Sequence, residues 1–292
     1  MQAAESQATG APRMVAHPAG VHRIQPSGWL VPVDFGELWR YRELVRFFVL
    51  RDAKIRYRQT HLGPAWAIIK PLLTIVVFSA IFGGLAKISP GAGVNVPYAL
   101  WVTPGVLAFG YVSTTLTNLS TSLVLNRQII TKVYFPRVYV PITTALTPII
   151  DFVVGLLVLL GLFAYFDQTP SWHIVFLPAF LALCVLVTMG VGLWLCAFTA
   201  RYRDWAIGVT FLVQIWQYAT PVIYPVHLIP KPYRLALELN PYTGVVTGFR
   251  WCLLGLPLWP GAVAASLGIG AAATITGLFF FRRTERFMVD LL

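Results

Sequence analysis

The run PIIDFVVGLLVLLGLFAYF, residues 148–166, decides the fold. Its single charge is Asp151, and it lacks the polar face that a surface helix of a water-soluble protein keeps. As a helix rising about 1.5 Å per residue, it reaches nearly across the roughly 30 Å hydrocarbon core of a bilayer. Comparable stretches recur on both sides, predicting spans near 65–87, 97–124, 139–166, 172–199, 206–225 and 258–281. The predicted fold is an all-α integral membrane protein with six transmembrane helices.

Composition agrees with that reading. Of the 292 residues 57% are hydrophobic and 11% charged, against roughly 25% charged in soluble domains. The formal charge of +11, from 22 Lys+Arg and 11 Asp+Glu, raises the question of a nucleic-acid partner. Most of these cations flank the apolar runs, where membrane orientation explains them better, so no nucleic acid is expected. With the N-terminus inside, the cytoplasmic face receives the arginines of residues 40–58, then Arg127, Lys132 and Arg137, then Arg201 and Arg203, and finally Arg282, Arg283 and Arg286. The opposite face receives Lys87, Lys231, Arg234 and Arg250. The asymmetry and an even number of spans place both termini in the cytoplasm.

Three segments organise the chain. Residues 1–33, rich in Ala, Pro and Gly, read as a disordered cytoplasmic tail. Residues 34–60 read as an amphipathic interface helix capped by Asp34, with Leu38, Tyr41, Val45, Phe48 and Ile55 at helical spacing and arginines between them. Lying on the membrane is favoured over packing on another domain, because Trp39 and Phe47 widen the apolar side. Residues 61–292 read as the transmembrane domain. Pro64 suits the first turn of its first helix. Lys70 either snorkels to the interface, the favoured reading, or faces an aqueous cavity.

Between Pro221 and Pro260 the pattern breaks. Prolines 221, 225, 230 and 232 follow the fifth span, and two runs too short to cross, Tyr233–Leu239 and Tyr242–Leu254, meet at Asn240-Pro241. They read as a re-entrant helical hairpin on the outer side, tolerated at membrane depth where protein or a watery cavity surrounds it. Glu238 and Arg250 are candidates for a buried pair across it or for two independent surface charges.

The loop NRQIITKVYFPRVYVP, 126–141, mixes cations with apolar side chains that a simple turn does not need, and reads as a short helix docking on a soluble partner. Arg201-Tyr202-Arg203-Asp204-Trp205 is a smaller version, equally readable as a positive-inside anchor. Asp151, an intramembrane carboxylate, is either a functional group or hydrogen-bonded to a nearby Ser, Thr or Tyr. The three cysteines read as packing residues, and scattered histidines support neither a metal site nor nucleophilic catalysis.

YRQTHLGPAWAIIKPLL at 57–73, PYALWVTPGVLAFGYVS at 97–113, SLVLNRQIITKVYFPRVYVP at 122–141, TPVIYP at 220–225 and LNP at 239–241 followed by Arg250 together resemble the permease subunit of polysaccharide ABC transporters. The likeness is to the O-antigen and teichoic-acid export branch (Wzm- or TagG-like) of the type-2 ABC permeases, over about residues 35–290. It implies a homodimer in the bacterial inner membrane, two copies of a Wzt-like ABC nucleotide-binding subunit, and a lipid-linked polysaccharide as substrate. The resemblance casts residues 126–137 as a coupling helix and 200–205 as a second cytoplasmic contact, so that Arg127, Lys132, Tyr134, Phe135, Arg137, Arg201, Arg203 and Asp204 couple to the ATPase. It casts 226–256 as a periplasmic gate with Glu238, Asn240, Pro241 and Arg250. Independently, no G-x-x-x-x-G-K-[ST] phosphate cradle occurs in the sequence, so no cofactor is expected on this chain, and ATP with Mg belongs to the partner.

Trp66, Tyr98, Trp101, Phe109, Tyr111, Trp216, Tyr218 and Tyr224 are candidates to stack on sugar rings along the path, with belt or packing roles as the alternative. Arg56 and Arg58 are candidates for a diphosphate head group. Two further functions stay open at this stage: a small-molecule or drug exporter, and a membrane-embedded glycosyl- or acyltransferase. The latter should cluster Asp, Glu or His at one membrane face, and the sequence does not.

Overall fold

The computed structural model describes residues 42–58, 62–91, 94–127 and 137–291, the side chains of 57, 58 and 285–291 excepted. Among these residues every regular element is helical. Five helices are long and apolar enough to cross a membrane: Gly63–Leu85, Tyr98–Leu125, Tyr139–Tyr165, Trp172–Arg201 and Pro260–Thr284. They coincide with five of the six expected spans to within a few residues.

The exception is the expected span at 206–225. Helix α7, Trp205–Ala219, has only 15 residues and is about 22 Å long, short of the hydrocarbon thickness. The chain leaves the helix at Thr220 because Pro221 has no N–H to continue the ladder and disfavours helical geometry in the residue before it.

In chain order the other elements are α1 (Arg42–Arg58), α2 (Trp66–Phe78), α3 (Tyr98–Leu125), α4 (Tyr139–Leu146), α5 (Ile149–Tyr165), α6 (Leu177–Arg201), α8 (Lys231–Glu238), α9 (Thr243–Leu254) and α10 (Pro260–Leu291). A 3-10 turn, Gly63–Ala65, leads into α2, with Pro64 in its first positions. Wider π-helical turns, Ser79–Leu85, extend α2. Pro148 separates α4 from α5 within one span.

The bundle is built around α3, which is buried along most of its length and touches α2, α4, α5, α6, α7 and α9. Helix α6 lies between α3 and α10. Its approach to α10 is close: a Cβ on Gly190 would strike the Thr274 backbone, and Thr274 Oγ1 donates to the Leu186 carbonyl at 2.9 Å. Small residues and short side-chain bonds hold membrane helices together where no hydrophobic force acts between them.

Helix α1 rests on α4. The single apolar stripe expected there divides, since Phe48 is buried while Phe47, Leu50 and Ile55 are exposed. The N-terminal tail, the start of the expected interface helix, and Lys132, Tyr134 and Phe135 of the expected coupling helix lie outside the described residues, as does the Arg58 side chain.

Candidate functional site

Two features stand out. The first is a hub around Arg250 on α9, which is buried. Its Nη1 donates to Pro221 O at 2.8 Å, Nη2 to Val222 O at 2.6 Å and Nε to Trp101 O at 3.3 Å, and the guanidinium lies 3.7 Å from the Trp101 ring centre. Tyr98 Oη donates to the next carbonyl, Ile223 O, at 2.5 Å. Three successive carbonyls of the unwound segment after α7 are thereby satisfied, as buried non-helical backbone requires. Gly105 makes the approach possible, because a Cβ there would sit 3.3 Å from both Arg250 Nη2 and Val222 O. The guanidinium stays a cation, and all three bonds use its N–H donors.

Neither alternative for Glu238 and Arg250 is therefore realised: Arg250 is no surface charge, and its donors go to carbonyls instead of a carboxylate. The Glu238 carboxylate lies instead against Gly261 at the start of α10, where no side chain has room. A helix N-terminus favours a negative charge.

Asn240 joins α7 to the hairpin. Its Oδ1 accepts from Trp216 Nε1 and from Tyr242 N, both at 3.1 Å, while Nδ2 donates to Ala219 O at 3.2 Å and Thr220 Oγ1 at 3.0 Å. Both ends of the amide are engaged, which an aspartate cannot reproduce. Helix α9 ends at Gly255, whose φ of +67° suits glycine.

The second feature is a cavity of about 780 Å³ walled by α1, α2, α3, α5 and α7. Its charged lining is Arg56, Lys70 and Asp151. Arg56 Nη1 and Asp151 Oδ2 form an ion pair, each side chain a little under a third exposed. This differs from the Ser, Thr or Tyr partner considered for Asp151, because α1 brings an arginine to α5. Lys70 is exposed and lines the cavity.

The expected path aromatics separate into groups. Trp66, Phe109 and Tyr111 line the cavity. Tyr111 Oη also donates to Ala145 O at 3.0 Å, and Phe109 packs edge-on against Tyr242. Tyr98 and Trp101 are buried at the Arg250 hub, and Trp216 is engaged by Asn240. Tyr218 is exposed and Tyr224 half-buried. Among the expected coupling residues, Arg127, Arg201, Arg203 and Asp204 are exposed and Arg137 half-buried, and Arg201 leans on the Tyr202 ring at 5.5 Å. Pro241 occupies the turn between α8 and α9. Gly105 was not singled out by sequence, and a glycine within a span is no signal by itself, since a Cβ on Gly110 of the same helix would meet nothing within 4 Å.

The sequence profile of the ABC-2 type transporter matches residues 43–254. The O-antigen export system permease protein RfbA of Myxococcus xanthus is 30% identical over 216 residues, 73% of this chain and 81% of that protein. A Klebsiella pneumoniae protein of the same name is 24% identical over 244 residues, 83% of this chain and 92% of its own. The polysialic acid transport protein KpsM of Escherichia coli is 23% identical over 260 residues, 84% and 95% of the two chains. A helical bundle with five candidate spans, matched over most of its length by such permeases, belongs to the ABC-2 type transporter family.

Proposed function

We propose that this chain is the permease subunit of an ATP-driven exporter that moves a lipid-linked, O-antigen-like polysaccharide across the bacterial inner membrane. The observation that carries the reading is the match, along most of the chain, to permeases named for O-antigen export and polysialic acid transport. The cavity agrees with it chemically: two cations suit a phosphate-bearing carrier, Ser113, Thr114, Asn118 and Gln217 suit hydroxyl-rich sugars, and Trp66 offers a stacking face.

In this reading two copies of the chain form a homodimer above two separate Wzt-like nucleotide-binding subunits, which hold ATP and Mg. Both termini are cytoplasmic. Residues 126–137 and 200–205 receive the motion of the ATPases, and the segment after α7 completes a sixth crossing. Residues 226–256 form a re-entrant periplasmic gate braced by Arg250 and Asn240. ATP closure shifts the dimer between two states, and only differential affinity for those states does so.

The test is ATPase activity of the reconstituted permease with its nucleotide-binding partner. Stimulation by undecaprenyl-linked polysaccharide and not by amphipathic drugs is expected. The reverse pattern would assign the chain to small-molecule export.

A further inference from the structure

The ion pair on the cavity wall carries more than a bracing role. Among the described residues the charged lining of the cavity is Arg56, Lys70 and Asp151, two cations to one carboxylate. The pair is also reachable, since both side chains retain over a quarter of their exposure and both line the cavity. A guanidinium that accepts a carboxylate accepts a phosphate with the same fork geometry, and a diphosphate offers more oxygens and more charge than one carboxylate.

We propose that Asp151 is an internal competitor for an anionic ligand: a diphosphate entering the cavity takes Arg56 from Asp151 and is held between Arg56 and Lys70. The inference rests on the export reading, in which the lipid carrier presents the diphosphate. Arg56 belongs to α1 and Asp151 to α5, 95 residues apart, so the exchange loosens α1 from the bundle as the head group arrives. Ligand entry thereby differs in free energy between two arrangements of α1, which is the condition for a ligand to shift a conformational equilibrium. Asp151 also sets a threshold, because weakly binding anions fail to displace it.

Equilibrium binding to the complete transporter in nanodiscs tests this with three probes: undecaprenyl diphosphate, undecaprenol and inorganic pyrophosphate. Asp151→Asn removes the competitor and should tighten undecaprenyl diphosphate binding by about fivefold or more, within the range usual for coupled sites. Lys70→Gln leaves the pair intact, guards against a folding defect in the first variant, and should weaken the same binding by a similar factor. Undecaprenol should not bind competitively. An Asp151→Asn affinity that is unchanged or lower, or a Lys70→Gln affinity equal to wild type, overturns the proposal. Tightening for pyrophosphate with none for the lipid places the site with free phosphate and overturns the carrier assignment. Should wild type respond to lipid-linked polymer while neither variant shifts affinity, the competition fails and the export reading stands. A wild-type ATPase indifferent to lipid-linked polymer defeats the export reading itself.

Discussion

Trp216 Nε1 and Asn240 Oδ1, 3.1 Å apart, form a hydrogen bond that crosses from the last turns of α7 to the hinge between α8 and α9. The same oxygen accepts from Tyr242 N, so the indole and the hairpin backbone share one acceptor. This shared acceptor makes the two residues energetically dependent on each other.

A double-mutant cycle reads that dependence. Asn240→Ala and Trp216→Phe should each lower the thermal midpoint in detergent, and the double variant should lose less than the sum, with a coupling of about 0.5–3 kcal/mol. Strict additivity would mean that the bond does not hold the hinge.

Removal of the Arg250 guanidinium leaves the Pro221 and Val222 carbonyls buried without donors, at about 1–3 kcal/mol for each. Arg250→Met should therefore lower thermal stability strongly. Arg250→Lys, which keeps the charge but not the fork, should recover only part of it. Equal stability of wild type and Arg250→Met would remove the hub from the account of the fold.

Gly244 and Gly268 offer a contrast within one class of substitution. A Cβ on Gly244 would collide with the Ala262 carbonyl on α10, whereas one on Gly268 meets nothing within 4 Å. Gly244→Ala should cost about 1–3 kcal/mol through overpacking, and Gly268→Ala should be close to neutral. Fluorescence-detected size exclusion after a temperature ramp separates the two.

Reversal of charge at the expected docking loop should break coupling without unfolding the spans. With the nucleotide-binding partner present, Lys132→Glu combined with Arg137→Glu should keep the helical bundle folded and lose most export per ATP hydrolysed. Normal export by this variant would move the docking surface elsewhere.

The crossing helices were legible because their signal is local: an apolar run such as 148–166 carries its own length. The shortness of α7 was half legible, since Pro221 and Pro225 were noticed but read as following the span. The partners of Arg250 were not legible. They are backbone carbonyls 28, 29 and 149 residues away, and an acceptor that every residue possesses leaves no mark on side-chain identity. The partner of Asp151 was hidden differently, because Arg56 sits on a helix whose arginines all suit lipid phosphates equally well from sequence.

Helix α3 runs unbroken for 28 residues, about 42 Å. Next to its Leu125 end, Asn126 Oδ1 accepts from Arg51 Nη2 of α1 at 3.4 Å, and near its Tyr98 end Trp101 receives Arg250. One continuous helix therefore carries an arginine contact near each of its ends, so a substitution at either contact alters the seating of the same element.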